Sequence, residues 1–143
     1  IIEELSTIRA YPAAGGHRRI DFDIRLRGLR TGVQLAGTGD DKGYGGFSLR
    51  FSHADQLDFA SAGRPLEPAI GAVETGDDVT LAWRAPAAAW PAAVRVACSV
   101  NGEPWRRWVL RRELSMQNCA FPGRQPVDVP QRAPLEIRAS LVL

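Results

Sequence analysis

Apolar and polar residues alternate in the run from Arg19 to Leu29, where Ile20, Phe22, Ile24 and Leu26 are separated by Asp21, Asp23, Arg25 and Arg27. A period of two puts every second side chain on one face of an extended backbone, so this stretch predicts a strand with one buried and one wet face. The same period predicts further strands over 5–10, 33–35, 46–52, 56–60, 71–74, 79–84, 94–100, 105–113 and 134–142. In the last of these Leu135, Ile137, Ala139 and Leu141 alternate with Glu136, Arg138 and Ser140, the pattern of a strand paired near the core. Turn-forming clusters separate the runs, among them Ala14-Gly15-Gly16, Gly63-Arg64-Pro65 and Phe121-Pro122-Gly123. Asn101-Gly102 predicts a two-residue type I′ hairpin, because both central positions of that turn need positive φ. The stretch 86–90 is too short for a helix and lies between prolines, so it reads as a loop or a single turn. The expected fold is all-β: an antiparallel two-sheet sandwich or barrel whose strands follow one another as a meander.

At 143 residues and 45% hydrophobic content the chain suits one domain, residues 1–143, with its own core. Its net charge of +2 is spread among alternating bases and acids, as in Arg18-Arg19-Ile20-Asp21-Phe22-Asp23. A nucleic-acid footprint would instead gather bases on one face with aromatics between them, so no nucleic-acid partner is expected. No run approaches the 18 apolar residues of a spanning helix and no secretory leader opens the chain, so a soluble, cytoplasmic protein without a membrane partner is expected, with periplasmic or secreted locations left open. Cys98 and Cys119 lack the spacing of a redox or metal motif and lie in apolar surroundings, which suits small buried residues; a disulfide between them stays open. His17 and His53 have no third ligand marked by spacing, so neither a metal nor another cofactor is expected.

Candidate chemistry concentrates in a few places. Residues 40–51 read DDKGYGGFSLRF, with Gly43, Gly45 and Gly46 beside Lys42, Tyr44 and Arg50. Glycines at that density are needed where the backbone takes positive φ or where something approaches it closely. Lys42, Tyr44 and Arg50 at the mouth of a strand could hold an anionic or polyhydroxylated ligand; Arg50 could equally pair with an acid on a neighbouring strand. Asp21 and Asp23 point the same way from one strand, about 7 Å apart, either as a carboxylate pair fit for acid–base work or as a solvated face paired with Arg19, Arg25 and Arg27. His53 and Asp55 have the spacing of half a catalytic pair but no nucleophile motif with them. Trp105 and Trp108, offset by three on one expected strand, should face opposite ways, one in the core and one free to stack on a sugar ring or an arginine. Gln117 and Asn118 could read ligand hydroxyls or satisfy backbone groups at a bent strand end.

Three groups of residues, Arg19-Ile20-Asp21-Phe22, Lys42-Gly43-Tyr44-Gly45-Gly46-Phe47 leading to Leu49-Arg50-Phe51, and Trp108-Val109-Leu110-Arg111 with Gln117-Asn118 and Phe121-Pro122-Gly123, together resemble the bacterial PmoA-like proteins. The resemblance covers most of this chain and corresponds to the C-terminal half of such proteins, which are usually about twice as long. It implies a β supersandwich of the galactose mutarotase type, or half of one, and a role near carbohydrate metabolism. A copper or iron oxygenase would need several His or carboxylate ligands, and a membrane subunit would need spanning helices; this sequence offers neither.

The functional expectation is therefore a protein that binds or processes a small carbohydrate or sugar acid. In the catalytic form Asp21 or Asp23 is the base of a mutarotation or epimerisation, Lys42 and Arg50 steady negative charge, and Tyr44 or Trp108 stacks on the ring. The alternative is a non-catalytic β-sandwich binding or interaction module. A chain matching only the later strands of a larger sandwich should leave a sheet edge uncovered, which predicts a homodimer or association with a missing N-terminal half.

Overall fold

The alternation seen in the sequence becomes strand at both ends of the chain and through its middle. The structure, a computed structural model, describes residues 1–37, 39–40, 45–51, 57–83, 93–112 and 116–143, and every regular element among them is a β-strand. In chain order these are β1 (Ile2–Ala10), β2 (Arg19–Gly28), β3 (Gln34–Leu35), β4 (Ser48–Arg50), β5 (Leu57–Ser61), β6 (Arg64–Pro65) and β7 (Val73–Glu74). There follow β8 (Asp78–Trp83), β9 (Ala93–Val100), β10 (Glu103–Pro104), β11 (Arg107–Val109), β12 (Met116–Cys119), β13 (Val127–Asp128) and β14 (Leu135–Val142). The expected loop at 86–90 lies outside the described residues.

The first sheet has the order β1-β2-β14-β9-β8-β5-β6, with β10 paired to β9; the second is β4-β12-β11-β7, and β3 and β13 form a short ribbon. All pairings are antiparallel, and the arrangement is consistent with a β-sandwich. It is not the expected meander. β14 enters between β2 and β9, running from Leu135 opposite Leu26 to Val142 opposite Arg19 on one side, and from Ile137 opposite Val100 to Val142 opposite Arg95 on the other. The reason lies in its composition: every second residue of β14 is buried, and such a strand gains most where neighbours cover it on both edges.

One hydrophobic cluster takes residues from both sheets. Leu57, Leu81, Val94, Val96, Ile137 and Leu141 come from the first, and Trp108, Leu110, Cys119 and Phe121 come from the second and its continuation. Ring contacts tie them further: Phe22 meets Phe47 with centroids 4.9 Å apart, and Phe51 meets Trp83 at 5.4 Å. The Cys98 and Cys119 thiols are both free and hydrogen-bonded to one another; that bond, with burial, pushes the Cys98 thiol far above its ordinary range.

The Asn101-Gly102 turn forms as expected, with φ of +50° and +88° and Glu103 opposite Val100. The expected strand over 105–113 is shorter, because the chain changes sheets there: Pro104 lies opposite Ser99 in the first sheet and Arg107 opposite Glu74 in the second. Two of the clustered glycines have separate reasons to be glycine. Gly46 has a φ of +67°, while Gly45 passes so close to the chain at 121 that a Cβ would collide with the Phe121 carbonyl oxygen. Gly43 lies outside the described residues. Gly45→Val should therefore lower stability by more than about 1 kcal/mol through crowding; an unchanged urea midpoint would show that the two segments can move apart freely.

Candidate functional site

Cross-strand register brings residues from distant parts of the chain onto the outer face of the first sheet. One row runs Arg9, Asp21, Ser140, Ala97 and a second runs Thr7, Asp23, Arg138, Ser99. The middle of the sheet carries small side chains, Ala97, Ser99 and Ser140, and arginines flank them. Short side chains between long ones leave a depression, and the result is a groove of about 590 Å³ open to solvent.

Each of the three carboxylates lining this groove is already held, Asp77 at its margin by Arg106 at 2.7 Å. Asp23 pairs with Arg9 and, at 2.9 Å, with Arg138. Asp21 accepts a hydrogen bond of 2.7 Å from Arg19, whose guanidinium also sits 5.5 Å from the centre of the Tyr11 ring. Burial alone would raise the Asp21 carboxyl, but hydrogen bonds from Arg19, Ser140 and Tyr11 and the charge of Arg19 outweigh it and hold the group below its ordinary value. The same pairing raises Arg19. A carboxylate held below its ordinary range is a weak base at neutral pH, so Asp21 suits fixed negative charge better than proton abstraction. Of the expected partners of this pair, Arg19 serves Asp21. Arg25 instead pairs with Glu136 at 3.4 Å and Arg27 with Glu3 at 2.7 Å.

Of the other residues singled out in the sequence, those among the described residues do not join this groove. Arg50 is on β4 of the second sheet, its guanidinium 3.7 Å from Met116 Sδ. Lys42, Tyr44, His53 and Asp55 lie outside the described residues, and His17 is exposed in the turn before β2, its backbone bridged to Ala14. Trp108 is fully buried and cannot stack on a ligand. Trp105 does not oppose it across a strand, because 105–106 is the crossing between sheets; it packs edge-on against Phe121 with centroids 5.0 Å apart.

Gln117 and Asn118 are corrected as ligand readers in the same way, being 0% and 1% exposed. Gln117 Nε2 donates to the Arg111 carbonyl at 2.8 Å and its Oε1 accepts from the Arg111 N–H at 2.9 Å. Asn118 Nδ2 donates to the Gly45 carbonyl at 2.6 Å and to Ser48 Oγ at 2.8 Å, and its Oδ1 accepts from the Gly45 N–H at 3.4 Å. A primary amide has one donor and one acceptor edge, like a peptide, so each side chain extends the sheet sideways where β-pairing has ended. Arg9, Arg138, Ser99 and Ser140 are the groove residues that sequence reasoning passed over. Ser140 and Arg138 were visible as the wet positions of the last strand, but nothing local marked that strand as the neighbour of Asp21 and Asp23.

Among the described residues no group of three His, Cys, Asp or Glu side chains could hold a metal ion, and no helix is long and apolar enough to cross a membrane. Asn118→Ala would strand the part-buried Gly45 N–H and carbonyl, and stability should fall by about 1–3 kcal/mol in urea unfolding; a loss of a few tenths would mean that water takes over both groups. Because the Asp21 carboxyl is lowered on folding, its contribution is complete above the unfolded carboxylate pKa and is lost as pH falls through the folded value. Asp21→Asn should therefore flatten the acid side of the stability–pH curve, and an identical acid slope in the variant would contradict that linkage. The chain matches no family model, no curated protein and no solved structure.

Proposed function

We propose that this chain is a non-catalytic binding module that takes a sugar or sugar acid in the groove on the outer face of its first sheet. The observation that carries this reading is the groove's composition. Arg9, Arg19, Arg25 and Arg138 surround a floor that includes the Ser99 and Ser140 hydroxyls and three carboxylates, Asp21, Asp23 and Asp77, fixed in ion pairs. Guanidinium groups offer paired, planar donors that match a sugar carboxylate, and hydroxyls and carboxylates match its ring hydroxyls. Fixed ion pairs favour recognition over proton transfer, since none of the three carboxylates is left without a counter-charge. The PmoA-like resemblance supports the same reading: a half of a galactose mutarotase-like supersandwich would present a sheet face of this kind to a carbohydrate.

A thermal-shift screen of neutral monosaccharides against uronic acids tests the reading, followed by titration calorimetry on any compound that raises the melting temperature. A uronic acid should bind, and Arg138→Ala should weaken it at least tenfold. Losing the two surface ion pairs of Arg138, with Asp23 and Glu136, should change the ligand-free melting temperature little. No shift with any sugar, or full binding by Arg138→Ala, would remove the proposal.

A further inference from the structure

The two edges of the first sheet differ in kind. At one end β6 is only two residues long and finishes in Pro65, a short edge blunted by a residue that cannot donate to a further strand. At the other end β1 presents nine consecutive residues with no Pro, no Lys and no break in its register against β2, which runs unbroken from Ile2 opposite Gly28 to Ala10 opposite Ile20. Flanking bonds show which way its backbone groups point. Tyr11 N–H donates to Arg19 and Leu29 N–H donates to Ile1, so odd-numbered positions bond to β2. Peptide groups alternate along a strand, so Ile2, Glu4, Ser6, Ile8 and Ala10 direct their N–H and C=O groups to the open side. Along the same edge Ile2, Leu5 and Ile8 are 37%, 59% and 63% exposed.

We infer that β1 is a dimerisation edge that pairs antiparallel with β1 of a second copy about a twofold axis at Leu5. In that register Ile2 lies opposite Ile8 of the second copy, twice by symmetry, and Leu5 lies opposite its own equivalent. All three exposed apolar positions of the strand thereby gain apolar cross-strand neighbours. The charges agree: Glu3 faces Thr7 of the second copy and lies diagonal to its Arg9, and Glu4 faces Ser6, whose hydroxyl already bonds the Glu4 carboxylate within one chain at 2.6 Å. The competing register, centred on Ser6, sets Glu3 against Arg9, but within one chain these already pair with Arg27 and Asp23, and it puts the Glu4 carboxylate against Ile8 and Leu5 against Thr7. The even positions that bond outward are the ones this pairing uses. Because β6 is blunted, growth closes at two copies instead of continuing as a filament.

Sedimentation velocity at micromolar concentration should show a species of twice the chain mass. Leu5→Lys, which sets two cations face to face on the axis at a position exposed in the single chain, should give a monomer with unchanged circular dichroism. Ser6→Pro removes an outward N–H that β2 does not use, and it should likewise give a folded monomer. Under a mild thiol oxidant Leu5→Cys should cross-link nearly completely and Ser6→Cys much less; the native cysteines, 3% and 0% exposed, stay silent. A monomeric wild-type chain, or a dimer that survives both Leu5→Lys and Ser6→Pro, would overturn the inference, and preferential cross-linking through Ser6→Cys would overturn the register.

Discussion

Burial of one face of the long sheet in the hydrophobic cluster it shares with residues of the shorter one is the constraint on which the rest depends. A fully buried Val or Leu contributes about 1.5–3 kcal/mol, and Leu57, Leu81, Val79, Val94 and Val96 are all at 0% exposure. Surface ion pairs contribute at most about 1 kcal/mol each. The outer-face charges therefore do not hold the sheet flat. They occupy a platform that the inner face has already fixed, and that division leaves the outer face free to be arranged for recognition.

Two buried amides connect that core to irregular backbone. Gln117 and Asn118 project from one strand to segments that have left the ladder, the chain at Arg111 and the glycine segment at Gly45. Tight glycine packing and amide bonding meet at the same place, since Gly45 also lies against the Phe121 carbonyl. The glycine cluster is thus anchored to the second sheet at its C-terminal end. The charged groove, in contrast, is built mainly from the first sheet, with Pro104 of β10 and Asp77 of the turn before β8 at its margin.

What was readable in the sequence was local. Alternation located β2, β9 and β14, and Asn101-Gly102 located its turn with the expected backbone angles. Strand neighbours were not readable, because period two says which face a residue takes and nothing about which strand lies beside it. For that reason Asp21 and Asp23 were visible as a pair, but Arg9, Arg138 and Ser140 were not visible as their surroundings. Gln117 and Asn118 were ambiguous for a related cause: a primary amide suits a ligand hydroxyl and a peptide edge equally well, and only burial separates the two. Trp108 was misassigned as a stacking surface because the change of sheets between Pro104 and Arg107 cancels the parity on which its assignment rested.

The insertion of β14 between β2 and β9 has a consequence for biosynthesis. β14 is translated after both of its neighbours, and a ribosome adds roughly 5–20 residues per second. The β1–β2 hairpin and the β8–β9–β10 unit can each assemble from contacts close in sequence while the rest is made, but the edge of each that β14 will cover then waits unsatisfied. The first sheet is completed only when the central strand emerges and satisfies both edges together. Vulnerability to mispairing is accordingly concentrated in the seconds before β14 leaves the exit tunnel, and a nascent-chain chaperone would have the most to protect in that interval.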